Sequence, residues 1–260
     1  MILAINIGNT HISFGLSDGA TILEPVMDIK TDRLRTHLEY ASQMKQILEL
    51  CGFDVASIDG AVISSVVPPM THTVKKAVKS LTGLDALVVG AGVKSGIHIL
   101  TDDPGTVASD LVATAVVAKE EYALPCVIVD MGTATTLTVV DEKGRFIGGS
   151  IMPGVNVSSN ALSEGASLLP KIDLAEPKKA IGSATVDCMR SGLVYGYAGA
   201  VDGIIDRFAD ELGREPATIV TTGGVAEFVC SYSKRTIRHD KNMLLKGLCY
   251  IYNKNKKISN

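Results

Sequence analysis

With 260 residues, the chain has room for one large domain or two of about 130 residues each. Hydrophobic residues make up 46% of it, mean hydropathy is +0.26 and glycine occurs 25 times, which describes a well-buried α/β globule and excludes a disordered chain. A net charge of −3 with a pI near 6.0 argues against a nucleic-acid partner, and no stretch approaches the roughly 18 apolar residues of a membrane span.

The first apolar run, residues 2–7, reads as a strand, and Thr10 to Gly15 as its hairpin partner, with a polar loop at the turn. Asn6, Asn9 and His11 interrupt that run and no basic segment precedes it, so a signal peptide is not expected and a cytoplasmic protein is. Leu38, Ala41, Met44, Ile47 and Leu48 recur at helical spacing up to Cys51-Gly52, a plausible helix end. Ala61 to Val67 reads as a buried strand stopped by Pro68-Pro69, Met70 to Leu81 as a helix, and Ala86 to Val89 as a strand. Asp110 to Tyr122 is a strongly apolar helix introduced by Pro104 and Gly105.

The second half repeats the opening pattern. Val127–Val129 and Leu137–Val140 read as strands around a second polar loop, and Asp141-Glu142-Lys143-Gly144 as a hairpin turn. A helical pattern runs from Thr185 to Leu212, where Gly192, Gly196, Gly199 and Gly203 suggest close helix packing or a break. Thr218–Thr221 is a strand leading to Gly223-Gly224, and Asn242–Tyr252 a closing helix. Strands alternating with helices predict a mixed sheet flanked by helices in each half, with the boundary in or beside the helix at Asp110–Tyr122: 1–117 and 118–260.

The two loops carry the chemistry. Asn6-Ile7-Gly8-Asn9-Thr10 and Asp130-Met131-Gly132-Thr133-Ala134-Thr135-Thr136 both end a strand on a side-chain oxygen, place a glycine two positions later and follow with hydroxyls. Glycine allows a tight turn that brings backbone N–H groups close to a phosphate, and hydroxyls suit phosphate oxygens. Two such loops suggest related half-domains facing each other across a nucleotide, as in a phosphotransferase; an ordinary hairpin turn is the competing reading of either alone. Thr221-Thr222-Gly223-Gly224 reads either as a seat for a flat ring such as adenine or as a plain turn. Asp110 reads as a helix cap favoured by the dipole or as a general base that takes a proton from an attacking hydroxyl. The five histidines show no ligand spacing, although His11 lies in the first loop. The five cysteines, odd in number and without a CxxC pair, read as reduced, buried small hydrophobes, so neither zinc nor disulfides are expected. Lys254, Lys256 and Lys257 read as a solvated end.

On these residues the chain resembles the type III pantothenate kinases, members of the acetate/sugar kinase, Hsp70 and actin superfamily. The resemblance rests on Ile5–Thr10, Arg35-Thr36 with Glu39-Tyr40, Ser64–Pro68 and Asp130–Thr136. It continues through Gly148-Gly149, Pro153-Gly154, Leu169-Pro170, Gly182 with Thr185, Thr222–Gly224 and Gly247-Leu248. It implies two ribonuclease-H-like half-domains and ATP-dependent phosphorylation of pantothenate, the first step of coenzyme A synthesis. It also implies ATP with magnesium, a monovalent cation (potassium or ammonium), and a homodimer. By residue, it implies that Asn6, Ile7, Gly8, Asn9, Thr10, His11, Ile12, Ser13 and Thr133 bind ATP and that Asp130 coordinates the monovalent cation. Thr101, Ala108, Ser109, Asp110, Leu111 and Thr185 would bind the acceptor, with Asp110 as base.

The chain departs from the family pattern on both the phosphate and the acceptor side, and around Asp110 it reads Ala108-Ser109-Asp110-Leu111 where the family has Gly-Ala-Asp-Arg. The first loop begins with Asn6 where the family has aspartate, Leu111 stands where an arginine pairs with the acceptor's carboxylate, and Thr101 where there is a tyrosine. An amide keeps an oxygen but loses the charge, and leucine offers no charge-assisted fork. The departures leave two alternatives: a kinase for another small hydroxylated substrate, or a non-catalytic nucleotide-binding regulatory paralogue.

Overall fold

The computed structural model describes residues 1–19 and 21–256, so Lys257 of the basic tail lies outside the described residues. The chain divides into two compact units: Met1–His98, Asp102–Glu120 and the chain from Asn242 on form one, Ile99–Thr101 and Glu121–Lys241 the other.

In the first unit, β1 (Ile2–Ile7), β2 (His11–Ser17), β3 (Ile22–Lys30), β4 (Gly60–Ser65) and β5 (Leu87–Val88) form a sheet in the order β3-β2-β1-β4-β5. β1, β2 and β3 run antiparallel, whereas β4 and β5 run parallel to β1. A central strand with a parallel neighbour is covered on both faces, which is why β1 is apolar almost throughout. Leu3, Ile5 and Ile7 turn to one face and pack with Tyr40, Met44 and Leu48 of α1 (His37–Leu50) and Met70, Val74 and Val78 of α2 (Pro68–Thr82). Thr36 and Glu39 close a reciprocal capping box on α1, with Glu39 N–H donating to Thr36 Oγ1 at 3.3 Å and Thr36 N–H to Glu39 Oε2 at 2.7 Å. Pro68 and Pro69 not only stop β4 but open α2, where their missing N–H groups cost nothing.

The other face of this sheet carries Gly15 and Gly60 and receives α7 (Met243–Lys256): a Cβ on Gly60 would lie 2.2 Å from the Tyr252 hydroxyl oxygen. α7 also crosses α3 (Ser109–Glu121) closely, because a Cβ on Gly247 would lie 2.0 Å from the Ala113 carbonyl oxygen. The closing helix therefore packs in the first unit, whereas the sequence reading counts it with the second half. The break in α3 falls at Glu120, three residues past the expected boundary.

The second unit repeats the first. β7 (Cys126–Met131), β8 (Ala134–Val140), β9 (Arg145–Pro153), β10 (Thr218–Thr222) and β11 (Arg238–His239) reproduce the arrangement, and the short β6 (His98–Ile99) extends the β9 edge to give β11-β10-β7-β8-β9-β6. β7–β9 are antiparallel and β10 and β11 parallel to β7. β1 and β7 have the same length and the same inside–outside pattern, with one partly exposed fifth residue: Asn6 in the first, Asp130 in the second. β2 and β8 match residue for residue in burial too. Each unit is thus a mixed, ribonuclease-H-like sheet with helices, as expected. α4 (Val155–Gly165), α5 (Thr185–Leu212) and the one-turn α6 (Ala226–Cys230) complete the second unit, with Leu193, Tyr197, Val201 and Ile205 of α5 against Val127, Val129 and Leu137 of the sheet. α5 is unbroken over 28 residues, so its glycines do not interrupt it.

Candidate active site

The first loop hangs between β1 and β2. Its glycine N–H is spoken for: Gly8 N–H donates to His11 O at 2.9 Å, and Thr31 at the end of β3 donates from its hydroxyl to Gly8 O at 2.7 Å and from its N–H to Thr10 O at 2.9 Å. Gly8 therefore shapes the turn rather than lending its N–H to a phosphate. Asn9, Thr10 and His11 are exposed, Gly8 and Ser13 are partly so, and the Ile7 and Ile12 side chains are wholly buried, so these two can meet a ligand only through their backbone. Ser13 donates to the Asp28 carboxylate. The register sets Asn6 opposite Ser13 on one side and Ser64 on the other. Asn6 Oδ1 is buried without a hydrogen-bond partner.

The second loop is tighter and more heavily supported. Gly132 N–H donates to Ala134 O at 3.0 Å, and Gly154 N–H, at the end of β9, donates to Thr133 O at 3.0 Å. A Cβ on Gly154 would come within 2.3 Å of Gly132 O, so only glycine lets the chain pass over this loop. Gly223, at φ +101°, does the same from the other side: its Cβ would lie 2.8 Å from Asp130 Oδ1. The paired glycines after β10 thus pack against the Asp130 loop. A Cβ on Gly224, by contrast, would meet nothing within 4 Å. Asp130 lies between Thr136 and Thr222 in the sheet. The Thr135 and Thr136 hydroxyl oxygens are buried without partners. The two are consecutive in β8 and leave opposite faces of the sheet: Thr135 is on the core side with Met131 and Leu137, whereas Thr136, opposite Asp130, carries the hydroxyl that an oxygen-rich ligand at this loop would satisfy.

Asp110 is the second residue of α3, inside the helix rather than at its cap. Its Oδ1 accepts from Leu111 N–H at 2.8 Å, and burial pushes its carboxyl above the usual carboxylate range despite that bond. Its neighbour Ser109 is held by the protein: the Ser109 and Ser64 hydroxyls are 2.8 Å apart, and Ser65 N–H donates to Ser109 Oγ at 3.2 Å. Thr71 of α2 extends the chain by donating to Ser65 Oγ at 2.8 Å. These bonds pin the start of α3, and with it Asp110, to the strand end beside Asn6. Ser64, Ser65 and Thr31 were not singled out as functional; a pair of serines closing an apolar strand was the available signal.

Of the other acceptor-side positions, Ala108 and Leu111 are partly buried and Thr185 is exposed at the first turn of α5. Thr101 Oγ1 is buried without a partner. All five cysteines are free; Cys126, Cys230 and Cys249 are buried, Cys51 is partly so, and Cys188 is exposed, against the expectation that all are core residues. Burial pushes the Cys126 thiol up to about 12 and the Cys249 thiol up to about 11, so both stay protonated and inert. Among the described residues, no group of three or more His, Cys, Asp or Glu side chains could hold a metal ion, and no helix is long and apolar enough to cross a membrane.

Residues 2–207 match the family model described as type III pantothenate kinase. The chain is 38% identical over 255 residues to a type III pantothenate kinase of Halalkalibacterium halodurans, covering 98% of this chain and 100% of the relative. It is 40% identical over 256 residues to one of Anaeromyxobacter sp., again covering 98% and 100%. Among solved structures, the activator of the 2-hydroxyisocaproyl-CoA dehydratase from Clostridium difficile, with bound ADPNP, superposes at a TM-score of 0.61 over 99% of this chain and 96% of that one. At 12% identity, that likeness is one of fold.

Proposed function

The chain belongs to the type III pantothenate kinase family, and from that premise we propose that it transfers the γ-phosphoryl group of ATP to the primary hydroxyl of pantothenate. The observation that carries this is Asp110: a partly buried carboxylate at a helix start, its affinity for a proton raised by burial. A base of that kind can accept the hydroxyl proton as the oxygen attacks in line, and positioning plus charge stabilisation supply the rest of the catalysis.

In this reading the loop Asn6–Ser13 and Thr133 hold the ATP phosphates, and Thr136, on the Asp130 side of β8, is a hydroxyl donor beside them. The orphaned Asn6 Oδ1 and the oxygen-only character of this set fit a hydrated magnesium ion, which keeps most of its waters. Asp130 holds the monovalent cation, potassium or ammonium. Magnesium, when bound, neutralises phosphate charge; Asn6 contributes an oxygen without adding a charge to that balance. Thr101, Ala108, Ser109, Leu111 and Thr185 form the acceptor side, where Ser109 acts by fixing Asp110 rather than by touching substrate. The work is placed in the cytoplasm, where ATP and a reduced thiol pool agree with five free cysteines.

A homodimer is part of the proposal. Gly192, Gly196, Gly199 and Gly203 lie along one stripe of α5, opposite the core face, and the first three meet nothing within 4 Å of a notional Cβ. Glycine on a solvent face weakens a helix by roughly 0.5–1 kcal/mol per residue relative to alanine, a cost offset if a second copy packs closely there.

The test of function is a coupled assay of ADP release with magnesium-ATP and either pantothenate or pantetheine. Pantothenate-dependent ADP release is the expected result. ATP binding without release for either acceptor would favour the regulatory reading.

A further inference from the structure

We propose that Asp28 is the carboxylate that holds the magnesium of the bound nucleotide, through its water shell, and so supplies the charge that Asn6 lacks. The inference rests on the kinase reading of the first loop.

The register of the first unit's sheet puts Asp28 there. Asn6 of β1 lies opposite Ser64 of β4 on one side and Ser13 of β2 on the other, and Ser13 lies opposite Asp28 of β3. The four form one row across the sheet. They share a face, because the residue before each (Ile63, Ile5, Ile12 and Met27) lies in the core cluster on the other side. Exposure falls along the row, from exposed Asp28 through partly exposed Ser13 and Asn6 to wholly buried Ser64. The Ser64 hydroxyl in turn meets Ser109, next to Asp110. One face of one unit therefore carries the proposed base at one end and a carboxylate at the other.

The side chains of the row suit a hydrated cation. Ser13 donates its hydroxyl to Asp28 Oδ1, which draws the carboxylate along the row toward Asn6. Asn6 Oδ1 is buried without a partner. Asp28 makes no ion pair among the described residues, so its charge is not spent within the protein. One row nearer the loop, on the same face, His11 and Lys30 stand opposite each other, both exposed. Oxygens that suit a cation thus adjoin side chains that suit a phosphate. Magnesium keeps several waters and is commonly held by one or two carboxylates together with substrate phosphates. Neighbouring strands are about 4.8 Å apart, so Asp28, two strands from Asn6, suits contact through water rather than a direct bond.

The experiment compares Asp28→Asn, Asp28→Glu and the double change Asp28→Asn with Asn6→Asp against the wild-type chain. ATP binding is followed by calorimetry without acceptor, once with magnesium and once with EDTA, alongside melting curves. Asp28→Asn is expected to weaken magnesium-ATP binding roughly tenfold, the loss of a charge-assisted contact. Metal-free ATP, relieved of a repelling charge, should bind as tightly as to wild type or more tightly. Asp28→Glu and the double change should each recover part of the loss. An amide oxygen still accepts from Ser13, so a carboxylate that only staples β2 to β3 would produce no magnesium-dependent effect. Unchanged magnesium-ATP affinity, or equal weakening with and without the metal, would each overturn the proposal; the second would assign Asp28 to the hairpin's structure. Wild-type ADP release with pantothenate tests the kinase reading separately. Magnesium-ATP binding that depends on Asp28, with no ADP release, would sink that reading and leave this one standing. ADP release whose magnesium requirement is indifferent to Asp28→Asn would do the reverse.

Discussion

Asp110 shows how one environment serves two ends. Burial raises its carboxyl above the ordinary value, so the folded protein binds that proton more tightly than the unfolded chain does. A raised carboxyl favours folding fully only below the unfolded value, and the advantage is lost as pH rises through the folded one. At neutral pH, ionised Asp110 is therefore a net cost. Asp110→Asn should melt at a higher temperature than wild type near pH 7, with the gap closing toward pH 4 and below. The same change should reduce kcat roughly 10²–10⁴-fold, the usual contribution of a base. Normal turnover together with unchanged melting would show that the carboxylate merely decorates the helix start. Ser109, engaged by Ser64 and Ser65, explains why this carboxylate is held in place at all.

At the scale of elements, α5 is the most revealing. Its core face is continuous from Leu193 through Tyr197 and Val201 to Ile205, so 28 residues stay helical despite four glycines. If the glycine stripe is the seam between two copies, Gly196→Leu should give a monomer in sedimentation at micromolar concentration, and Gly196→Ala a weakened dimer. If α5 faces water instead, Gly196→Ala should simply stabilise the protein by up to about 1 kcal/mol. A dimer unaffected by Gly196→Leu would remove α5 from the interface. The hairpins show a different logic: the glycines at 8 and 132 close their own turns, while those at 154 and 223 make room for the second loop's backbone and for Asp130.

For the whole molecule, the decisive element is the last helix. Met243, Leu245, Leu248 and Ile251 of α7 are buried in the first unit, and burying each such side chain contributes about 1.5–3 kcal/mol. Their sum is comparable to the entire stability of an ordinary domain, about 5–15 kcal/mol. A chain ended at Lys241 should therefore lose the first unit's cooperative melting and expose the sheet face that carries Gly15 and Gly60. Retention of the full melting transition would show that α7 is dispensable.

The duplicated strand–loop–strand, the helices at His37–Leu50, Pro68–Thr82 and Ser109–Glu121, and the alternation of sheet and helix were all legible in the chain, because periodicity and turn residues are local signals. So was the family, and relatives 38–40% identical over 98% of the chain bear it out. β3 and β9 were not read as strands: Pro25 interrupts one and Gly148-Gly149 the other, and a bulge between Phe14 and Leu16 accommodates the first. Gly149 is required because its Cβ would lie 2.0 Å from Leu137 O, a contact between neighbouring strands that no local pattern announces. Tertiary packing alone decided that α7 belongs to the first unit, that Gly223 packs on Asp130, and that Ser109 is occupied by the strand end. Each of these depends on which distant segments meet, and residue type and spacing do not encode that by themselves.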